Sequence, residues 1–152
     1  MLRLRGAAAE IGLAVDTVRR FALAEGLAGV AADALAVAVD EAISNVLRHA
    51  YDAPIEAALT IEAAADALAI EIVLIDTGRP FNPLDGPAPE LRGGPADRPV
   101  GGLGIHLMRS LVDTVEYRRD GGSNRLVLRK ARGVPLADDT AAREDGGSRG
   151  GN

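Results

Sequence analysis

The chain has 152 residues, 17 Lys and Arg against 22 Asp and Glu for a formal net charge of −5, 18 Gly, 8 Pro, and neither Cys nor Trp. That length makes one domain with a self-sufficient core. Zero cysteines exclude disulfide scaffolds, cysteine-ligated metal centres and thiol nucleophiles, and an acidic balance excludes a nucleic-acid binder that rests on neutralising phosphates. No run of about 18 apolar residues offers a membrane span, and Arg3 and Arg5 are followed by Ala, Glu and Gly where a secretory signal needs a sustained apolar region. The expected setting is cytoplasmic, with no nucleic-acid or membrane partner. With 28 alanines against four aromatics, Phe21, Tyr51, Phe81 and Tyr117, the core must be one of Ala, Leu, Val and Ile.

Leu2 and Leu4 alternate with Arg3 and Arg5, the period of a short edge strand over 2–5. Ile11, Val15, Val18, Phe21 and Ala22 then recur at helical spacing, predicting a helix over 7–25 closed by Gly26. A second helix is predicted over 31–51, with Leu35, Ala38, Val39, Ala42, Ile43, Val46, Leu47 and Ala50 toward the core, until Pro54 stops it. Residues 55–63 alternate as a strand with one wet face, Asp66 sits in a tight connection, and 68–75 is apolar on nearly every residue, as expected of a central strand covered on both faces.

Between Asp76 and Gly102 the Pro and Gly content forbids regular structure, and so long a loop inside a compact domain reads as a lid, placed over 83–100. Leu103 to Val112 is helical, and strands over 114–119 and 124–130 are joined by an Asp120-Gly121-Gly122-Ser123 turn. Residues 134–152 lack apolar periodicity and form an acidic tail expected to be disordered, leaving 1–133 as the domain. The order of these elements predicts a two-layer α/β sandwich, a mixed, largely antiparallel sheet with three helices on one face.

Three features carry chemistry. Glu41, Asn45 and His49 stand at i, i+4 and i+8, one polar stripe on the second helix. Asp76 ends the apolar strand, where a carboxylate is costly to desolvate unless a donor such as an adenine amino group meets it, and Gly78 beside it would let a flat base approach the backbone. Gly101-Gly102-Leu103-Gly104-Ile105 opens a helix, the geometry in which bare N–H groups hold phosphate, yet it lacks the Lys-Ser/Thr of a Walker A loop.

In that order the three resemble the histidine-kinase-like ATPase superfamily, the Bergerat or GHKL fold, and within it the small anti-sigma factor serine/threonine kinases. Asp40 to Tyr51 (DEAISNVLRHAY) looks like the family's N box, Asp76 to Pro83 like its first glycine box, and Gly101 to Leu107 (GGLGIHL) like its second. The resemblance implies ATP and Mg²⁺ as cofactors, Glu41 as general base, Asn45 as magnesium ligand, and His49 as the N box histidine. It puts Asp76 and Gly78 at the adenine, and Gly102, Leu103, Gly104 and Ile105 at the phosphates. It further implies a homodimer that holds a sigma factor and phosphorylates an anti-anti-sigma, STAS-type antagonist. Exposed Leu2 and Leu4 on the edge strand would favour pairing with another chain. The chain departs from the family in two places: Asn82 stands where Asp often follows the Phe of the first box, and the last strand lacks the Thr that helps relatives read adenine. Two alternatives stay open. One is a module that binds ATP to hold a partner without kinase turnover; the other is the ATPase part of a two-component histidine kinase, for which His49 and His106, lying inside the boxes, are poor phosphoacceptors.

Overall fold

The computed structural model describes residues 1–4, 8–52, 58–85 and 102–133. Most of the expected lid, the start of the expected strand over 55–63, Gly101 and the acidic tail lie outside the described residues.

Eight elements follow in the order β1 (Leu2–Leu4), α1 (Ala8–Ala24), α2 (Gly29–His49), β2 (Leu59–Ala65), β3 (Ala69–Asp76), α3 (Gly102–Leu111), β4 (Thr114–Asp120) and β5 (Ser123–Ala131). Helix α1 ends as its sequence requires: Gly26 takes φ +83°, its N–H donates to the carbonyl of Leu23, and the N–H of Leu27 donates to that of Ala22. This is a Schellman closure, and only glycine adopts that φ without strain. Leu27 then turns into the core. The small side chains of Ala14, Ala22, Ala32, Ala38 and Ala42 are all fully buried, which lets α1 and α2 pack closely, and Arg19 bridges to Asp33 between them at 2.5 Å. Helix α2 lies between α1 and α3.

The sheet has the order β1-β2-β3-β5-β4, and every pairing is antiparallel, so the mixed component of the expectation is absent among the described residues. The β2–β3 connection is held by Asp66, whose Oδ1 accepts the N–H groups of Leu68 and Ala69 at 2.7 and 2.8 Å; these bonds keep its carboxyl below the usual carboxylate range. Gly121 and Gly122, both at positive φ, make the two-residue β4–β5 turn.

Leu59 and Ile61 of β2, Ile70, Ile72 and Leu74 of β3, and Leu126 and Leu128 of β5 form the sheet's half of the core, facing Val18, Leu35, Val39, Ile43 and Met108 from the helices. The expectation that β3 is covered on both faces is corrected in part: on the second face Val73 is buried, while Glu71 and Ile75 are half-buried. Opposite the helices, Glu71, Val73 and Ile75 face a layer of cross-strand charges among the described residues, where Arg129 bridges to Glu71 at 3.5 Å and Arg125 to Glu62 at 3.8 Å. Glu71 and Arg125 line the same surface depression as Val73. The reading of Leu2 and Leu4 is corrected too. Leu4 is buried in the core and Leu2 packs against it, so what the edge strand offers a partner is its backbone.

Candidate functional site

The site runs along α2, because its polar stripe faces two different neighbours. Asn45, near the C-terminal end of α2, has 1% of its surface exposed, and among the described residues neither Nδ2 nor Oδ1 has a hydrogen-bond partner. The stripe therefore does not lie on a solvated face at this position. A buried amide left empty-handed costs about 1–3 kcal/mol, so a residue kept in this state marks a place where something else completes the bonding.

One turn earlier, the half-buried Glu41 directs its carboxylate at Gly104, where a Cβ would overlap Oε2. A side chain at 104 would therefore have to displace the Glu41 carboxylate. Gly102 opens α3 as expected, Leu103 lies in its first turn, and Ile105 is half-buried against the core.

At the other end of α2, His49 stacks on Phe81 with ring centroids 4.6 Å apart and planes 22° from parallel. Burial, then the Arg48 and Arg79 cations, push its imidazole below the ordinary histidine pKa. Gly78 packs directly on the last turn: a Cβ there would collide with the carbonyl of Ala50 and come within 2.9 Å of its Cβ. Close packing on the helix end, rather than room for a ligand, accounts for glycine at this position. Arg79 ties the same end down, donating from Nε to the His49 carbonyl at 2.6 Å and from its backbone N–H to that of Ala50 at 3.0 Å.

Asp76, at the end of β3, is 3% exposed. Burial raises its pKa, while hydrogen bonds from Asn124 and the Gly78 N–H and the Arg119 cation oppose the rise. Both bonds land on Oδ1, at 2.8 and 2.9 Å. Sequence reasoning missed Asn124. It stands directly across the β3–β5 ladder from Asp76, gives its second Nδ2 hydrogen to the Arg79 carbonyl at 3.0 Å, and accepts at Oδ1 from the Tyr117 hydroxyl at 2.8 Å and Arg119 at 2.6 Å. A buried Asn in a strand otherwise alternating Leu126 and Leu128 inward was the available signal. Asn82 donates to Asp85 at 2.6 Å and accepts the Leu84 N–H at 3.0 Å; an Asp at 82 would have set two carboxylates against each other.

The stripe on α2, the end of β3 and the start of α3 thus meet along one helix, with the Gly104 and Gly78 contacts about 13 Å apart along its axis. The histidine kinase-like ATPase domain matches residues 4–130, a span that contains all three. The chain belongs to this family. Among individual proteins it is similar to the serine/threonine-protein kinase BtrW of Bordetella bronchiseptica, 29% identical over 94 residues that cover 62% of this chain and 66% of the relative. It is similar also to the serine-protein kinase RsbW of Halalkalibacterium halodurans, 35% identical over 95 residues covering 57% of this chain and 54% of that one. The matches therefore span just under two thirds and about half of these relatives' lengths. The histidine kinase domain of the Erythrobacter litoralis EL346 blue-light activated kinase shares the fold at a TM-score of 0.53, with 14% identity over 82% of this chain and 60% of that one. Among the described residues no helix is long and apolar enough to cross a membrane.

Proposed function

We propose that this chain is an ATP-dependent protein serine/threonine kinase that holds a sigma factor and phosphorylates an anti-anti-sigma antagonist of the STAS type. The observation that carries the nucleotide site is Asn45, buried with both amide atoms unpartnered among the described residues one turn from a carboxylate that abuts the start of α3. A hard divalent cation suits such a site: Asn45 Oδ1 would be its protein ligand, with water and phosphate oxygens supplying the rest. The chemistry such an ion would supply there is neutralisation of charge on the phosphates.

The chain's own residues do the remainder. The N–H groups at the start of α3, from Gly102 to Ile105, hold phosphate oxygens at the positive helix end. Asp76 accepts the adenine amino group, with Gly78 setting the turn beside it, and the stacked rings of His49 and Phe81 stand at the end of α2. Glu41 takes the proton of the attacking serine hydroxyl as its oxygen bonds to the γ-phosphorus and the bridge to ADP breaks. That the relatives are named serine-protein kinases supports this reaction class.

The deciding experiment incubates the protein with labelled ATP and candidate antagonists. Glu41→Gln is expected to bind ATP as before and to lose transfer by about 10²- to 10⁴-fold, the usual worth of a positioned base. Transfer at the unmodified rate would show that Glu41 is not the base, and no transfer by the unmodified protein to any candidate would leave a nucleotide-binding module that holds its partner without turnover. The partner reading includes a homodimer, for which the open backbone edge of β1 is one available surface; light scattering and a sigma-factor pull-down with ATP test it, and a monomer that captures no sigma factor removes it.

A further inference from the structure

Asn124 has spent all of its hydrogen-bonding capacity on the protein. An amide offers two donor hydrogens and two acceptor lone pairs. The hydrogens go to Asp76 Oδ1 and the Arg79 carbonyl, the lone pairs to Tyr117 and Arg119. At 3% exposure it has nothing left for a ligand or a bridging water. Arg119 also donates to the Gly78 carbonyl at 3.1 Å, so the turn after β3, the carboxylate and the β4–β5 hairpin form one polar network.

Its effect falls on Asp76. Oδ1 is doubly occupied, by Asn124 and by the Gly78 N–H, whereas Oδ2 accepts no hydrogen bond among the described residues. We propose that Asn124 is a positioning residue which gives the site its preference for a nucleobase carrying an exocyclic amino group, by fixing Asp76 as an acceptor with only Oδ2 to offer. This rests on the nucleotide reading above and deepens it.

The physical reason is that a carboxyl can recognise opposite chemistries. Ionised, it only accepts, matching the amino group of adenine; protonated, it donates, matching the oxo group that hypoxanthine carries at the same position. Burial at the end of β3 pushes Asp76 toward the protonated form. The donor from Asn124 holds it in the other, and the amide cannot flip to present its oxygen because Tyr117 and Arg119 hold that oxygen on the far side. A site built to bond an amino group rejects the oxo analogue strongly, since the mismatch leaves buried polar groups unpaired.

Dissociation constants for ATP and ITP, measured by calorimetry on the full chain with Mg²⁺, test this. The unmodified protein is expected to favour ATP by about 100-fold or more. Asn124→Ala is expected to cut that ratio below about 10-fold, mainly by improving ITP relative to ATP, because Asp76 can then take up a proton. Should Asn124→Ala fail to fold, Tyr117→Phe on β4 removes a group that orients the amide while leaving the contacts of Asp76 in place, and it should lower the ratio by about 3- to 10-fold; Arg119→Met, which also removes a cation acting on Asp76 itself, should lower it at least as much. Folded variants that keep the unmodified ratio would overturn the inference, as would an unmodified protein that binds ATP and ITP equally, which leaves the nucleotide site standing. A chain that binds neither nucleotide overturns the site and this inference together.

Discussion

Gly104, in the first turn of α3, lies against the carboxylate of Glu41 on α2 so closely that a Cβ at 104 would overlap Oε2. The start of α3 therefore sets where the proposed base can stand, apart from any role of its N–H groups toward phosphate. Gly104→Ala separates the two effects. The atom in the way is the far end of a flexible side chain, so the fold can yield there, and Ala improves on Gly in a helix by about 1 kcal/mol. The expected outcome is a melting temperature unchanged or raised with phosphoryl transfer down about 10- to 100-fold, because the carboxylate is displaced by about an ångström. A scan of thermal unfolding beside a labelled-phosphate assay checks both; full activity would mean that Glu41 can be displaced without consequence.

Asn45 makes a prediction of the opposite kind from an ordinary core residue. Truncating a buried side chain usually destabilises, yet Asn45→Ala removes two buried polar atoms that have no partner among the described residues, which cost about 1–3 kcal/mol, and gains about 0.5 kcal/mol of helix propensity. Without nucleotide the variant should melt a few degrees higher, at about 2–4 °C per kcal/mol for a domain of this size. With Mg-ATP the order should invert, since only the unmodified chain gains binding free energy. A lower melting temperature without ligand would show that the amide is satisfied.

The helices and strands were legible because their apolar residues recur at 3.6 or 2 residues, and α2 and β3 are long enough for the period to be unambiguous. The chemistry was legible where it is local: Glu41, Asn45 and His49 share a helix face, and Asp76 and Gly78 share a turn. What could not be read is set by register. Asn124 meets Asp76 only because β3 and β5 pair with these residues opposite, and no local pattern announces a partner so distant in sequence. The burial of Asn45 was hidden for a related reason. A polar stripe reads as solvated until the position of α3, on the far side of a Pro- and Gly-rich loop, is known. The nearly continuous apolar run of β3 misled about its second face, since the charged side chains that cover it come from neighbouring strands.

His49 gives a pH dependence whose sign follows from its surroundings. Its imidazole is held below the ordinary value of 6.5 by burial, then by Arg48 and Arg79. Over the interval between the folded pKa and 6.5 the unfolded chain binds more protons than the folded one, so stability rises with pH there and is lost as pH falls. Urea midpoints between pH 7.5 and 5.5 should decline in the unmodified protein and decline less in His49→Gln, which also loses the stack on Phe81. Identical slopes would show that His49 titrates alike in the folded and unfolded chain.

Arg79 makes two kinds of contact that mutation can separate. Its Nε donates to the His49 carbonyl at 2.6 Å, satisfying a helix-terminal group that has no partner within α2, while Nη1 donates to Asp52 Oδ1 at 2.9 Å, a side chain 89% exposed. An exposed ion pair contributes little, whereas a cationic donor on terminal carbonyls stabilises through both the hydrogen bond and the helix dipole. Arg79→Ala is thus expected to cost about 1–2 kcal/mol in urea unfolding and Asp52→Ala less than about 0.5 kcal/mol. Removing the guanidinium also removes one of the cations that depress His49, so the His49 ring proton should titrate at higher pH in Arg79→Ala when followed by NMR. Equal losses in the two variants would assign the stabilisation to the ion pair with Asp52, and an unmoved His49 titration would show that solvent screens Arg79 from the ring.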